Sequence, residues 1–118
     1  MAHYEDLKID QGSDVVIQLH LINQDKSKKD LTGYSGAAQM APNYAASDSD
    51  KISFAATIAE PTTDGILSLS LTNAQTDLLN AKRKYVYDVE ISYVDSDAYT
   101  IVERVLEGLV KISPSVTR

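Results

Sequence analysis

The chain has 118 residues, enough for one domain that buries a core without a metal or disulfide. Eleven Lys and Arg against seventeen Asp and Glu give a formal charge of −6, which argues against a nucleic-acid-binding face. With no Cys, thiol catalysis, disulfides and iron–sulfur ligation are excluded, and with 43% apolar residues the chain is expected to fold.

No apolar run is long enough for a membrane helix, and Met1 to Asp6 lacks the basic-then-apolar pattern of a secretory signal. Residues 4–9 read as a short leading strand and Gln11-Gly12 as a turn. Residues 13–22 alternate, with Val15, Ile17, Leu19 and Leu21 on the buried face. The polar residues 23–29 form an exposed loop. Residues 34–41 are a strand of small residues with Tyr34, Ala38 and Met40 on one face, and 42–51 are a loop. One strand is expected to carry Ile52, Phe54, Ala56 and Ile58. Asp64-Gly65 then turns the chain into a return strand, residues 66–71, with Leu67, Leu69 and Leu71 inward.

Thr72 with Gln75 three residues on has capping-box spacing, so one short helix is expected over residues 73–81, with Leu78, Leu79 and Ala81 over the core. Lys82, Arg83 and Lys84 would complement its negative end. Residues 85–94 put Tyr85, Tyr87, Val89, Ile91 and Tyr93 on one face. Asp95, Ser96 and Asp97 make a turn. The last strand, residues 99–112, should place Val102, Leu106, Val110 and Ile112 on one side, with Gly108 at a bulge or a close backbone approach and Pro114 ending it. These elements predict an all-β fold: one immunoglobulin-like β-sandwich domain over residues 1–118, of about seven strands, with a short helix between strands five and six. Tyr87 stands where many sandwiches carry a tyrosine corner.

Chemistry is sparse. His3 and His20 are the only histidines, and no nucleophile elbow, phosphate loop or dinucleotide fingerprint occurs. Asp48/Asp50 and Asp95/Asp97 could offer oxygen ligands, but Asp and Ser also favour turns for local reasons, and the turn is the better reading. Asp88 and Glu90 share a strand face, but with no Trp in the chain a solvated face is preferred to a glycosidase pair. No enzyme, cofactor or metal is expected.

The segments Lys-Tyr-Val-Tyr-Asp-Val-Glu-Ile (84–91) and Val-Leu-Glu-Gly-Leu-Val-Lys-Ile-Ser-Pro (105–114), with Val116, Thr117 and Arg118, resemble small virion proteins of tailed bacteriophages, nearest to those of contractile-tailed phages of marine cyanobacteria. Leu31-Thr32-Gly33, Asp64-Gly65 with Leu67 to Leu71, and the Tyr-Asp-Val-Glu run are also similar to the N-terminal domain of siphophage upper baseplate proteins. The resemblance implies a non-enzymatic tail, baseplate or neck subunit, present in the virion and in the host cytoplasm during assembly, that docks onto other virion proteins. The alternative is a module that decorates the capsid or binds carbohydrate or the host surface. Neither nucleic acid nor membrane is an expected partner, and self-association is left open. Reading the final strand as an open edge makes Leu109, Val110, Lys111 and Ile112, with Val116 and Arg118 of the tail, the candidate interface. Loops 23–29 and 42–51 are the fallback.

Overall fold

The computed structural model describes residues 3–114 and 116. Two sheets face each other. In the first, β4 (Ser35–Ala41) pairs antiparallel with β8 (Lys84–Val94), and β8 with β9 (Thr100–Ser113). On the far side of β9 lie β1 (His3–Tyr4) and β2 (Leu7–Asp10), both parallel to it. β5 (Ile52–Ser53) closes the other edge against β4. The second sheet has the order β3 (Val15–His20), β7 (Ile66–Leu71), β6 (Ala55–Ile58), all antiparallel.

The core lies between the sheets. Tyr87, Val89 and Ile91 of β8 and Leu106, Val110 and Ile112 of β9 meet Leu67, Leu69 and Leu71 of β7, all at least nine-tenths buried. Val15, Ile17 and Leu19 of β3 pack from the side and are half-buried. The small residues of β4 have a reason: a Cβ at Gly36 would stand 2.6 Å from Leu67 Cδ1, so a larger residue would force the buried Leu67 side chain to shift.

The single strand expected over 52–58 is two. At Phe54 the chain leaves the first sheet for the second. The Phe54 N–H still bonds Ala38 O at 2.9 Å, and its ring is buried at the crossing. The leading strand is likewise split, at Glu5 and Asp6. α1 (Asn73–Asp77) begins with the expected capping box: Thr72 Oγ1 accepts from the Gln75 N–H, and Gln75 Oε1 accepts from the Thr72 N–H. The helix ends four residues earlier than residue 81, because Asn80 turns the chain through its side chain and backbone oxygens. Lys82, Arg83 and Lys84 therefore lie outside the last turn and do not complement its dipole. Leu79 is buried, but Leu78 is 84% exposed and does not cover the core.

Two further expectations change. The hydroxyl bond that joins the strand start to the preceding turn belongs to Tyr85, which accepts the Asn80 N–H at 2.9 Å. Tyr87 instead donates to the Glu5 carbonyl, 82 residues away. The bulge of β9 is at Val105: Val89 faces Leu106, while Glu90 faces Arg104, so Val105 is the extra residue. Side-chain parity inverts there. Ile101 and Glu103 take the face of Tyr93 and Ile91, and Val102 stands opposite Ser92, away from the face of Leu106, Val110 and Ile112. Gly108 is the close approach. A Cβ there would lie 2.1 Å from the Glu5 carbonyl oxygen and 3.2 Å from Tyr87 Cε1.

Candidate functional site

Burial along β8 and β9 stops before the strands do. From Tyr93 to Val94 and from Thr100 to Arg104 the hairpin is exposed. The second sheet ends at His20 and Ile66, and Leu31, fully buried, seals the core there. Past that seal Tyr93 stands opposite Ile101, and the Tyr93 ring meets Tyr34 at 5.0 Å between centroids. Lys29 Nζ lies 5.5 Å from the Tyr34 ring centroid. Tyr99 is 69% exposed, Val94 65% and Val102 56%. This clusters apolar and aromatic surface at one end of the domain, the composition of interface centres rather than of ordinary solvated turns.

Two neighbouring loops hold this end in place. Loop 23–34 joins the turn between β6 and β7 through Thr32 Oγ1 and Thr62 Oγ1, 2.7 Å apart, and the Leu31 N–H to Thr62 O at 3.0 Å. Within the loop, Asp25 accepts from Ser27, and Asp30 accepts from the Thr32 N–H and hydroxyl. Those bonds lower both carboxyl pKa values below the ordinary range by favouring the charged form. At the hairpin tip, Asp95 Oδ1 accepts the N–H groups of Asp97 and Tyr99 at 2.9 and 3.0 Å, so this carboxylate folds its own turn. The other acidic turn is a single 3₁₀ turn, Asp48–Asp50, with Ser47 Oγ donating to Asp50.

The proposed interface residues are scattered. β9 is not an edge: over its C-terminal half β8 lies on one side and β2 on the other. Val110 and Ile112 point into the core at 0% and 3% exposure, which removes them from any docking surface. Leu109 is half-buried, with its N–H on Asp6 Oδ1 at 3.3 Å, and Lys111 is exposed on the outer face. Val116 is fully exposed, and Arg118 lies outside the described residues. The strand order decided this, and a lone β-strand pattern does not encode it. Alternation alone puts Tyr93 on the face of Tyr87 and Ile91 and does not mark where that face leaves the core. The signal of the hairpin tip was a pair of alternating strands longer than their partners.

His3, His20, Glu103 and Val105 line one open cleft of about 470 Å³. Among the described residues, no three His, Asp or Glu side chains are placed to hold a metal ion. Asp88 and Glu90 stand on the outer face, Asp88 with Arg104 at 3.6 Å. No helix of the described residues is long and apolar enough to cross a membrane.

No family model matches the chain, and no curated protein does. Among solved structures, murine CRIg is similar at 14% identity, with a TM-score of 0.50 and 92% of each chain covered. The fold is immunoglobulin-like. In that architecture the three connections gathered around Tyr34, Tyr93 and Tyr99 lie at one end of the sandwich, where loop variation leaves the core undisturbed.

Proposed function

We propose that the protein is a non-enzymatic structural component of a phage particle, a tail, baseplate or neck subunit that docks onto other virion proteins. The phage assignment rests on the sequence resemblance. The docking role rests on one observation: a β8–β9 hairpin that runs past its own core and carries Tyr93, Val94, Tyr99, Ile101 and Val102 in solvent. Exposed apolar surface at a strand end costs solubility and is kept where a partner covers it. Tyrosine suits such a role, because its ring offers large contact area at low entropic cost and its hydroxyl stays satisfied when wet.

Mass spectrometry of purified particles should find the protein at fixed stoichiometry. A Val102→Asp, Tyr99→Asp variant should keep the wild-type circular dichroism spectrum and be lost from particles. If the protein is absent from particles and binds glycans instead, the carbohydrate- or host-surface-binding reading replaces this one.

A further inference from the structure

The second sheet ends on one side at β3, whose only strand partner among the described residues is β7. The Leu21 N–H donates to Gly65 O, and the Ala59 N–H donates to Ile66 O. Backbone groups alternate sides along an antiparallel strand. Val15, Ile17 and Leu19 therefore bond β7, and the N–H and C=O groups of Val16, Gln18 and His20 face the open edge. Natural edges are blunted by charge, proline, a bulge or shortness. The edge formed by β1 and β2 carries Glu5, Asp6, Lys8 and Asp10 and is broken at its middle, and the other two edges are short, β5 with two residues and β6 with four. β3 has six residues, with no Lys, Arg, Asp, Glu, Pro or Gly and a regular register to β7. The outer face behind it is uncharged as well: Val16, Gln18 and His20 stand beside Ser68 and Ser70, then Ala55 and Thr57.

We infer that β3 pairs antiparallel with β3 of a second copy, joining two three-stranded sheets into one across a two-fold axis at Gln18. Among the registers that keep inward residues opposite inward residues, only this one pairs all three outward-turned residues within the strand. Gln18 faces Gln18 of the second copy, Val16 faces its His20, and Ile17 faces its Leu19. No charge meets a like charge, although each chain carries −6. Asp14, the first charge before the strand, falls opposite Ile22. A two-fold interface needs such self-complementarity.

Light scattering on size-exclusion chromatography should find a dimer at micromolar concentration. Gln18→Pro removes an N–H that β7 does not use, so the fold stays and the two bonds at the axis are lost, raising Kd roughly 30-fold. Val16→Lys, at an exposed position, should separate the copies by placing charge in the seam. Because the chain has no Cys, Gln18→Cys reports the register: hydrogen-bonded partners have Cα atoms about 5.5 Å apart, within disulfide reach. Oxidised Gln18→Cys should run as a covalent dimer and oxidised Val16→Cys should not. A monomeric wild type overturns the inference, as does a dimer that survives both Gln18→Pro and Val16→Lys. A strand captured from a different protein at this edge also overturns it.

Discussion

The base and the tip of the β8–β9 hairpin are built from the same two strands and the same alternation, and they differ in what lies against them. At the base β9 has β2 on its far side, β8 has β4, and the second sheet covers the inner face. There Val89 and Val110 are wholly buried. At the tip Tyr93 and Ile101 point the same way as Ile91 but are exposed, and the Tyr93 ring packs against Tyr34 beyond the core. Burial belongs to the neighbours rather than to the strand. Periodicity marks which residues share a face and leaves open how far along the strand that face is covered. The Val105 bulge sits at the boundary and separates the two regimes.

Substitutions should sharpen that contrast. Ile91→Ala, at the last buried position of β8, should cost about 2–5 kcal/mol in chemical denaturation, through lost transfer energy and a residual cavity. A loss below about 0.5 kcal/mol would mean that the base is no better packed than the tip. Gly108→Ala should cost about 1–3 kcal/mol, since its Cβ must displace the Glu5 backbone. Its signature is early amide exchange in residues 3–10 before the rest of the sheet opens.

Tyr87→Phe should cost about 0.5–1.5 kcal/mol at neutral pH by deleting the bond to the Glu5 carbonyl. Its pH dependence is sharper. Burial raises the Tyr87 pKa well above the ordinary phenol value, and the negative charges of Glu5 and Asp6 add to this. The folded state thus holds this proton more tightly than the unfolded chain. The stabilisation is complete below about pH 10 and is lost as pH rises through the higher folded value, by up to about 1.4 kcal/mol per pH unit. Alkaline melting curves should show a steeper decline for wild type than for Tyr87→Phe, and equal slopes would remove Tyr87 as the cause. At the tip, Val102→Ser should change stability by no more than about 0.5 kcal/mol, read as an unchanged midpoint in urea.

The two-sheet class, the Asp64-Gly65 hairpin turn, the Thr72–Gln75 capping box and the inward faces of β7 and β8 were legible because each depends on residues near one another in the chain. What escaped depends on partners far away. The parallel pairing of β1 and β2 with β9 carries no local pattern, so the sequence alone presents the final strand as an edge and gives no sign that β3 is one. The Val105 bulge shifts parity without a Gly or Pro to announce it, which put Val102 on the wrong face. Tyr85 and Tyr87 share a face, and only the positions of Asn80 and Glu5 decide which hydroxyl bonds which segment. The apolar tip was visible as residues but not as surface.

The parallel ladder also sets an order of events. Asp6 meets Leu109 across a separation of 103 residues, and every pair in that ladder spans a similar distance. During synthesis the first strands must wait, unpaired, until β9 has been made. Closing so long a loop is entropically slow, and contacts of this kind place a fold among the slower ones. The acidic and basic side chains of residues 5–10 keep that waiting segment in water. β1 and β2 are therefore fastened only after β9 exists, and the Glu5 carbonyl reaches Tyr87 as that part of the sheet closes.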